Sequence, residues 1–287
     1  MAAIYKKELK SYLTSMVGYI FMFFILVMTG IYFTAYNLQY AYPAFGVTLN
    51  AVTFVFLIGV PILTMKVLSE ERRQKTDQML LTAPVSVNGI VLGKYLALLT
   101  IYLIPMVIIS FYPIIMKQFG NVSLPMAYTS IIGFLLLGCA NIAIGLFMSS
   151  ITESQVIAAV LTFLVLFVCY MSEGIAAFFG DSTLTSMIAF AVLVLIFAFI
   201  VYVMTKNLFA ALIVGVVGEI AVTGGYLINS SFFEGGIDKI FNLININGHL
   251  DNFINGIFDL TGVVYFVSLI VVFLFLTVQS IVKRRWS

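Results

Sequence analysis

Apolar residues in this chain fall into long, nearly unbroken runs separated by short polar breaks. Eight such runs can be traced, at about 17–36, 49–68, 91–115, 126–148, 155–173, 185–205, 208–228 and 262–282. Each comes close to the roughly 20 residues a helix needs to cross a hydrocarbon core about 30 Å thick. None alternates with the two-residue period of a lipid-facing barrel strand, so the spans must be helices that satisfy their own backbone N–H and C=O groups. The expected fold is an all-α polytopic membrane protein of about eight transmembrane helices, forming one domain over residues 1–287.

Three polar breaks have patterns of their own. Ahead of the first run, residues 1–16 place Tyr5, Leu9, Tyr12, Leu13 and Met16 on one face at 100° per residue, with Lys6, Lys7, Lys10 and Thr14 on the other. That is an interface helix, rings in the membrane surface and lysines toward headgroups. Between the second and third runs, Ser69-Glu70-Glu71-Arg72-Arg73-Gln74-Lys75-Thr76-Asp77 concentrates six of the chain's 14 basic and 12 acidic side chains. Glu71 with Lys75, and Arg73 with Asp77, sit four apart, so opposite charges support an exposed helix. Met79, Leu80 and Leu81 give it an apolar end before Pro84 breaks the pattern. Segment 69–88 therefore reads as a water-facing helix and turn, longer than a simple reversal needs. In the third break, 230–261, Ile237, Ile240, Phe241 and Ile244 keep helical spacing, as do Leu250, Phe253, Ile254, Ile257 and Phe258, which predicts two short amphipathic helices.

Composition agrees with the pattern. Hydrophobic residues make up 62% and charged residues 9% of 287, with a mean hydropathy of +1.15, far from the roughly 25% charged residues of a soluble domain. If the spans alternate, twelve basic residues fall on the side of the termini: Lys6, Lys7, Lys10, Lys66, Arg72, Arg73, Lys75, Lys94, Lys206, Lys283, Arg284 and Arg285. Only Lys117 and Lys239 fall on the other. The positive-inside rule then places both termini and the 69–88 segment in the cytoplasm. The basic start resembles a signal peptide, but the apolar run behind it is too long and lacks a small-residue cleavage site, so it reads as a retained anchor.

Few side chains inside the spans suggest chemistry. Cys139 and Cys169 read as small apolar packing residues, and Asn141, Pro61, Pro105 and Pro113 as residues that shape and join helices. Glu219 stands mid-span beside Gly218, where a carboxyl is costly enough to mark a wet path or a hydrogen bond between helices. His249 is the sole histidine, which removes His-based metal sites and catalytic pairs; no metal site is expected. No G-x-x-x-x-G-K-[ST] phosphate loop occurs, so ATP is not bound in that way and no cofactor is expected on this chain. Glu70-Glu71 followed by Lys75 is superficially similar to the Glu-Glu-x-x-x-Arg motif of CAAX-type intramembrane proteases. The lysine, and the lack of intramembrane histidines, argue against an enzyme.

The string Leu68-Ser69-Glu70-Glu71-Arg72-Arg73-Gln74-Lys75-Thr76-Asp77-Gln78-Met79-Leu80-Leu81-Thr82-Ala83-Pro84-Val85-Ser86, followed by Leu92-Gly93-Lys94-Tyr95, resembles the segment between the second and third spans of ABC-2 type transporter permeases, most nearly the gliding-motility-associated branch. The start Ile4-Tyr5-Lys6-Lys7-Glu8-Leu9-Lys10-Ser11-Tyr12 and the tail Lys283-Arg284-Arg285-Trp286-Ser287 resemble it too. The resemblance implies a permease subunit of an ATP-driven exporter in the plasma (inner) membrane of a bacterium. Two copies of a separate ABC ATPase would carry ATP and Mg, and the permease would pair with itself or a related subunit. An accessory extracytoplasmic protein is compatible with it, and no nucleic acid is involved.

On this resemblance the 69–88 segment is a coupling helix. Glu70, Glu71, Arg72, Arg73, Lys75 and Asp77 would make the polar contact with the ATPase and Met79, Leu80 and Leu81 the apolar one, braced by Tyr5, Lys6, Lys7, Leu9 and Lys10. Glu219 would belong to the translocation path, and Phe241, Phe253 and Phe258 to an outer gate. The family commonly has six spans, so eight would mean an added hairpin within 156–228. A membrane anchor or sensor coupled to an ATPase without transport is the alternative reading.

Overall fold

The computed structural model describes residues 1–76, 86–179, 183–184, 186–188, 190–192, 194–195, 198, 208–228, 241 and 244–285. Among them there is no strand, and every element is helical. Five helices are long and apolar enough to cross a membrane: Met16–Gln39, Val87–Phe119, Leu124–Ile151, Gln155–Ser172 and Leu260–Lys283; a bent pair, Phe45–Val52 with Val55–Arg73, brings the number to as many as six. Leu208–Ile228 is a helix over the seventh apolar run, while most of the sixth, at 185–205, and most of the predicted 237–244 helix lie outside the described residues. The chain divides into two compact units, Met1–Val168 with Ile246–Ser287, and Cys169–Asn245.

The first unit opens with α1, Ala2–Thr14, separated by the extended residue Ser15 from α2, Met16–Tyr32. A wide π-helical turn, Phe33–Gln39, closes α2, and Asn37 fixes the reversal that follows by donating to the Tyr42 carbonyl at 2.8 Å and accepting from Thr48 Oγ1 at 2.6 Å. The second span is broken. Helices α3, Phe45–Val52, and α4, Val55–Thr64, meet at 56°. No proline or glycine lies at the bend. Thr53 Oγ1 instead donates to the Asn50 carbonyl at 2.8 Å, a back-bond of the kind that bends helices. Short α5, Ser69–Arg73, carries the charged run.

Helices α6, Val87–Ile109, and α7, Tyr112–Phe119, make the third span, and α8, Leu124–Ile151, the fourth. Next comes α9, Gln155–Phe179, which starts in the first unit. The second unit holds α10, Leu208–Ile228. The chain returns through α11, Asp251–Ile254, to α12, Leu260–Arg285.

Helix α8 is the axis of the first unit: 67% of its apolar window is buried, against 17–39% for the other spans. Its glycines explain how neighbours come so close. A methyl on Gly133, Gly138 or Gly145 would run into Phe253, Tyr102 and Thr64 respectively. Small residues let backbones approach where helices cannot be driven together by water. The Tyr102 hydroxyl uses that closeness to donate to the Phe134 carbonyl at 2.7 Å. Across from it, α12 packs along α8, with Ser280 donating to the Ser150 carbonyl at 3.1 Å. Substituting Gly138→Ala is expected to destabilise the protein in detergent by about 1–3 kcal/mol through overpacking. The same change at Gly120, with nothing within 4 Å, should leave thermal unfolding unchanged.

Candidate functional site

The second span runs out of regular helix at Thr64, which strands backbone carbonyls in a tight corner. Helix ends must find partners for such groups, and here three other segments supply them. The Tyr12 hydroxyl, from α1, donates to the Leu63 carbonyl at 2.8 Å. Ser149, from α8, donates to Met65 O and accepts from the Leu68 and Ser69 amides at 3.1 and 3.3 Å, while Ser69 Oγ also reaches Met65 O. Lys94, about two turns into α6, donates to the Val67 carbonyl at 3.0 Å. Lys66 lies over the Tyr12 ring, 5.1 Å from its centre.

Lys94 is the centre of this corner. Its side chain has no solvent exposure, and its ammonium meets Glu8 Oε1 at 2.7 Å and Glu71 Oε1 at 2.8 Å. A buried ammonium is tolerated only when paired and hydrogen-bonded, and here it has hydrogen bonds to Glu8 and the Val67 carbonyl and ion pairs with Glu8 and Glu71. Lys7, largely exposed, stands 3.9 Å from Glu71 on the outside. One cluster thus ties α1, α5 and α6 together. Burial, with the carboxylates of Glu8, Glu70 and Glu71 nearby, pushes the Tyr12 phenol well above its ordinary range, so it stays a hydrogen-bond donor. A cavity of about 330 Å³ opens beside the cluster, edged by Lys7, Ser11, Lys66, Glu70, Gln74 and Thr76.

The residues expected at this site are arranged differently from the sequence pattern. In α1 the buried line is Ile4, Glu8 and Tyr12, while Tyr5, Leu9 and Leu13 are half-buried and Lys6, Lys7 and Lys10 exposed. Met16 belongs to the next helix and is 79% exposed. Ile4 packs against Gly93, where a methyl would sit 3.4 Å from it. Glu71 turns inward to Lys94 instead of along the helix to Lys75. The helix stops too early for that pairing: Lys75 adopts φ +56°, its amide bonding Arg72 O and the next, Thr76, bonding Glu71 O. This is a Schellman stop with a lysine where glycine is usual. Glu70 is half-buried and bonds Gln74 at 3.2 Å, Arg72 is half-buried, and Arg73 and Lys75 are exposed. Asp77, Met79, Leu80 and Leu81 lie outside the described residues.

Glu8 and Lys94 escaped the sequence reading, which counted Lys94 with the loop bases. A signal existed: one carboxylate interrupts the Ile4–Tyr12 stripe of α1, and one ammonium interrupts an otherwise uncharged helix. Two isolated opposite charges in apolar surroundings each need a partner.

Elsewhere in the first unit, Phe253 is fully buried against Gly133 and Gly262, 6.0 Å from the exposed Phe258. Ser130 holds α11 in place by donating to the Phe253 carbonyl at 2.9 Å. Asp259 ends this loop and begins α12; hydrogen bonds from Asn252 and the Thr261 amide hold its carboxyl below the usual range. In the second unit, Phe241 is half-buried and Glu219 is half-buried on α10, with Oε1 enclosed and without a hydrogen-bond partner among the described residues. Among those residues no group of three His, Cys, Asp or Glu is placed to hold a metal ion.

The chain matches no family model and no curated protein.

Lys94→Met removes the buried cation between the buried Glu8 and the half-buried Glu71 and is expected to cost about 3–5 kcal/mol. The check is thermal unfolding together with proteolysis: α1 should become the first segment cut. Replacing all three members at once, with Glu8→Gln and Glu71→Gln beside Lys94→Met, should recover part of the loss, because no unpaired charge remains buried.

Proposed function

We propose that this protein is the transmembrane permease subunit of an ATP-driven ABC exporter, powered by a separate ATP-binding subunit that docks on segment 69–86. The observation that carries the reading is the junction on Lys94. A segment at the aqueous end of the bundle is bonded to the N-terminal helix and to the third span at once. A push on α5 is therefore a push on α6 and on the turn that ends the second span. An anchoring loop would need no such three-way tie, whereas a coupling element has to be stiff where it meets the spans.

In this proposal the chain works as a dimer, with itself or a related permease, in the bacterial plasma membrane with both termini in the cytoplasm. ATP and Mg are held by two ATPase subunits, whose closure drives α5 and reorients the spans. Positive residues support that orientation, since Lys6, Lys7, Lys10, Lys66, Arg72, Arg73 and Lys75 all gather at one end of the first unit while Lys117 ends α7 at the other. The cargo class that fits apolar spans with few buried charges is amphipathic: a lipid, a lipid-linked glycan or an apolar peptide. Glu219 is proposed to line its route, and Phe241, Phe253 and Phe258 to lie toward the outer exit, with Phe253 as the fixed side.

Glu71 is a poor probe of docking because its loss would dismantle the Lys94 cluster. Arg73→Ala with Lys75→Ala leaves that cluster intact. At roughly 1 kcal/mol for each exposed charge contact, the pair should weaken copurification of a co-expressed ATP-binding subunit by about tenfold or more. Unchanged binding and unchanged cargo-stimulated hydrolysis would refute the docking assignment. For Glu219, Glu219→Gln should preserve assembly and shift transport. Equal transport by both forms across about pH 6 to 8 would remove any role for its charge.

A further inference from the structure

In sequence the charged run is close to balanced, acids beside bases. Folding sorts it. Between Met1 and Thr76 the only carboxylates are Glu8, Glu70 and Glu71. Two of them face Lys94 at 2.7 and 2.8 Å, and the third is half-buried with Gln74 on one oxygen. Over the same residues Lys6, Lys7, Lys10, Arg73 and Lys75 are exposed, and no carboxylate is. Glu153 and Lys283, the described charges at the ends of the other helices here, already have interactions of their own.

The direction of this basic face can be read from α1. The Tyr5 hydroxyl meets Thr100 Oγ1 at 3.0 Å, and Thr100 lies six residues past Lys94, about 9 Å further along α6 toward its apolar middle. Tyr5 therefore points toward the bilayer. Lys7 is two residues on, about 200° around the helix, and points away from it. Lys7 also edges the cavity of about 330 Å³, whose lining runs from Ser11 of α1 to Gln74 and Thr76 past α5 and includes Lys66 and the inward-held carboxylates Glu8, Glu70 and Glu71; the exposed cations Lys10, Arg73 and Lys75 lie on the same two segments.

We propose that the exposed bases Lys7, Lys10, Arg73 and Lys75, on the two segments that flank this cavity, form a docking surface for an acidic patch on the cytoplasmic partner. Bases of this chain meet carboxylates of that partner. The proposal rests on the permease reading and supplies the chemistry of its contact. Lys94 favours that polarity: it pairs Glu8 and Glu71 from the inside at 2.7 and 2.8 Å, leaving Lys7 only a 3.9 Å contact with Glu71. Complementary charge of this kind speeds encounter and fixes register, and it weakens with salt.

The test needs no partner. Gln74→Cys, in a background of Cys139→Ala and Cys169→Ala, is placed in nanodiscs and labelled with an anionic sulfonatoethyl or a cationic trimethylammonioethyl methanethiosulfonate, each rate normalised to that on a free thiol. At low salt the anionic reagent should react about tenfold faster, and the ratio should fall toward one near 1 M salt, where the Debye length is about 3 Å. Lys75→Glu with Arg73→Glu should invert the preference, and Lys7→Gln should reduce it. A hexaglutamate peptide should protect the thiol, and labelling should be the same in phosphatidylcholine discs with or without phosphatidylglycerol. No preference, or a faster cationic reagent, overturns the proposal. Protection by phosphatidylglycerol alone overturns it in favour of a membrane-facing surface. Failure here leaves ATPase copurification untouched, whereas failed copurification with a retained anionic preference points to an acidic partner of another kind.

Discussion

A lysine with no access to water has to be matched donor by donor, and that requirement organises one end of this molecule. Lys94 donates to a carboxylate of the N-terminal helix and to a carbonyl at the end of the second span, and pairs its charge with a carboxylate of the charged segment. Remove any partner and a charge or a dipole is left buried, so these segments hold or fail together. Beside it, Tyr12 and Ser149 take up the remaining loose backbone groups. The second span can thus end in an irregular turn, and turn the chain out toward water, without leaving polar atoms stranded.

The other half of the packing is steric. Helix α8 carries glycine where Phe253, Tyr102 and Thr64 cross it. Its lower end also carries Ser149, so the helix that forms the axis of the first unit is the one that grips the charged turn. Rigidity in the bundle and placement of the surface segment come from a single element.

How much of this could be read from sequence varies with the range of the interaction. Long apolar runs fix helices on their own, because lipid leaves the backbone no alternative; Leu124–Ile151 and Leu260–Arg285 contain the predicted 126–148 and 262–282 nearly to the residue. The bend at Thr53 was invisible, since no proline or glycine marks it and a threonine back-bond has no distinctive pattern. The i,i+4 rule placed Glu71 beside Lys75, and lost to a partner 23 positions away that is buried and therefore far stronger. Likewise, 3.6-residue periodicity identified α1 as two-faced but not which stripe would be covered, because Ile4, Glu8 and Tyr12 are chosen by α6 and not by lipid. The matching of Glu8 to Lys94, 86 residues apart, is tertiary information of a kind no local rule contains.

That separation has a consequence for how the protein is made. Helix α1 is translated before α6, so the cation that neutralises Glu8 follows only after the first two spans and the charged segment. Until the third span arrives, α1 has to wait at the membrane surface with its carboxylate in water or among headgroups. Lys94 in turn enters its helix with no counter-charge unless α1 and α5 are already beside it. The cluster therefore ties the burial of Lys94 in the third span to the presence of α1, and a chain without that helix loses a partner its buried cation needs.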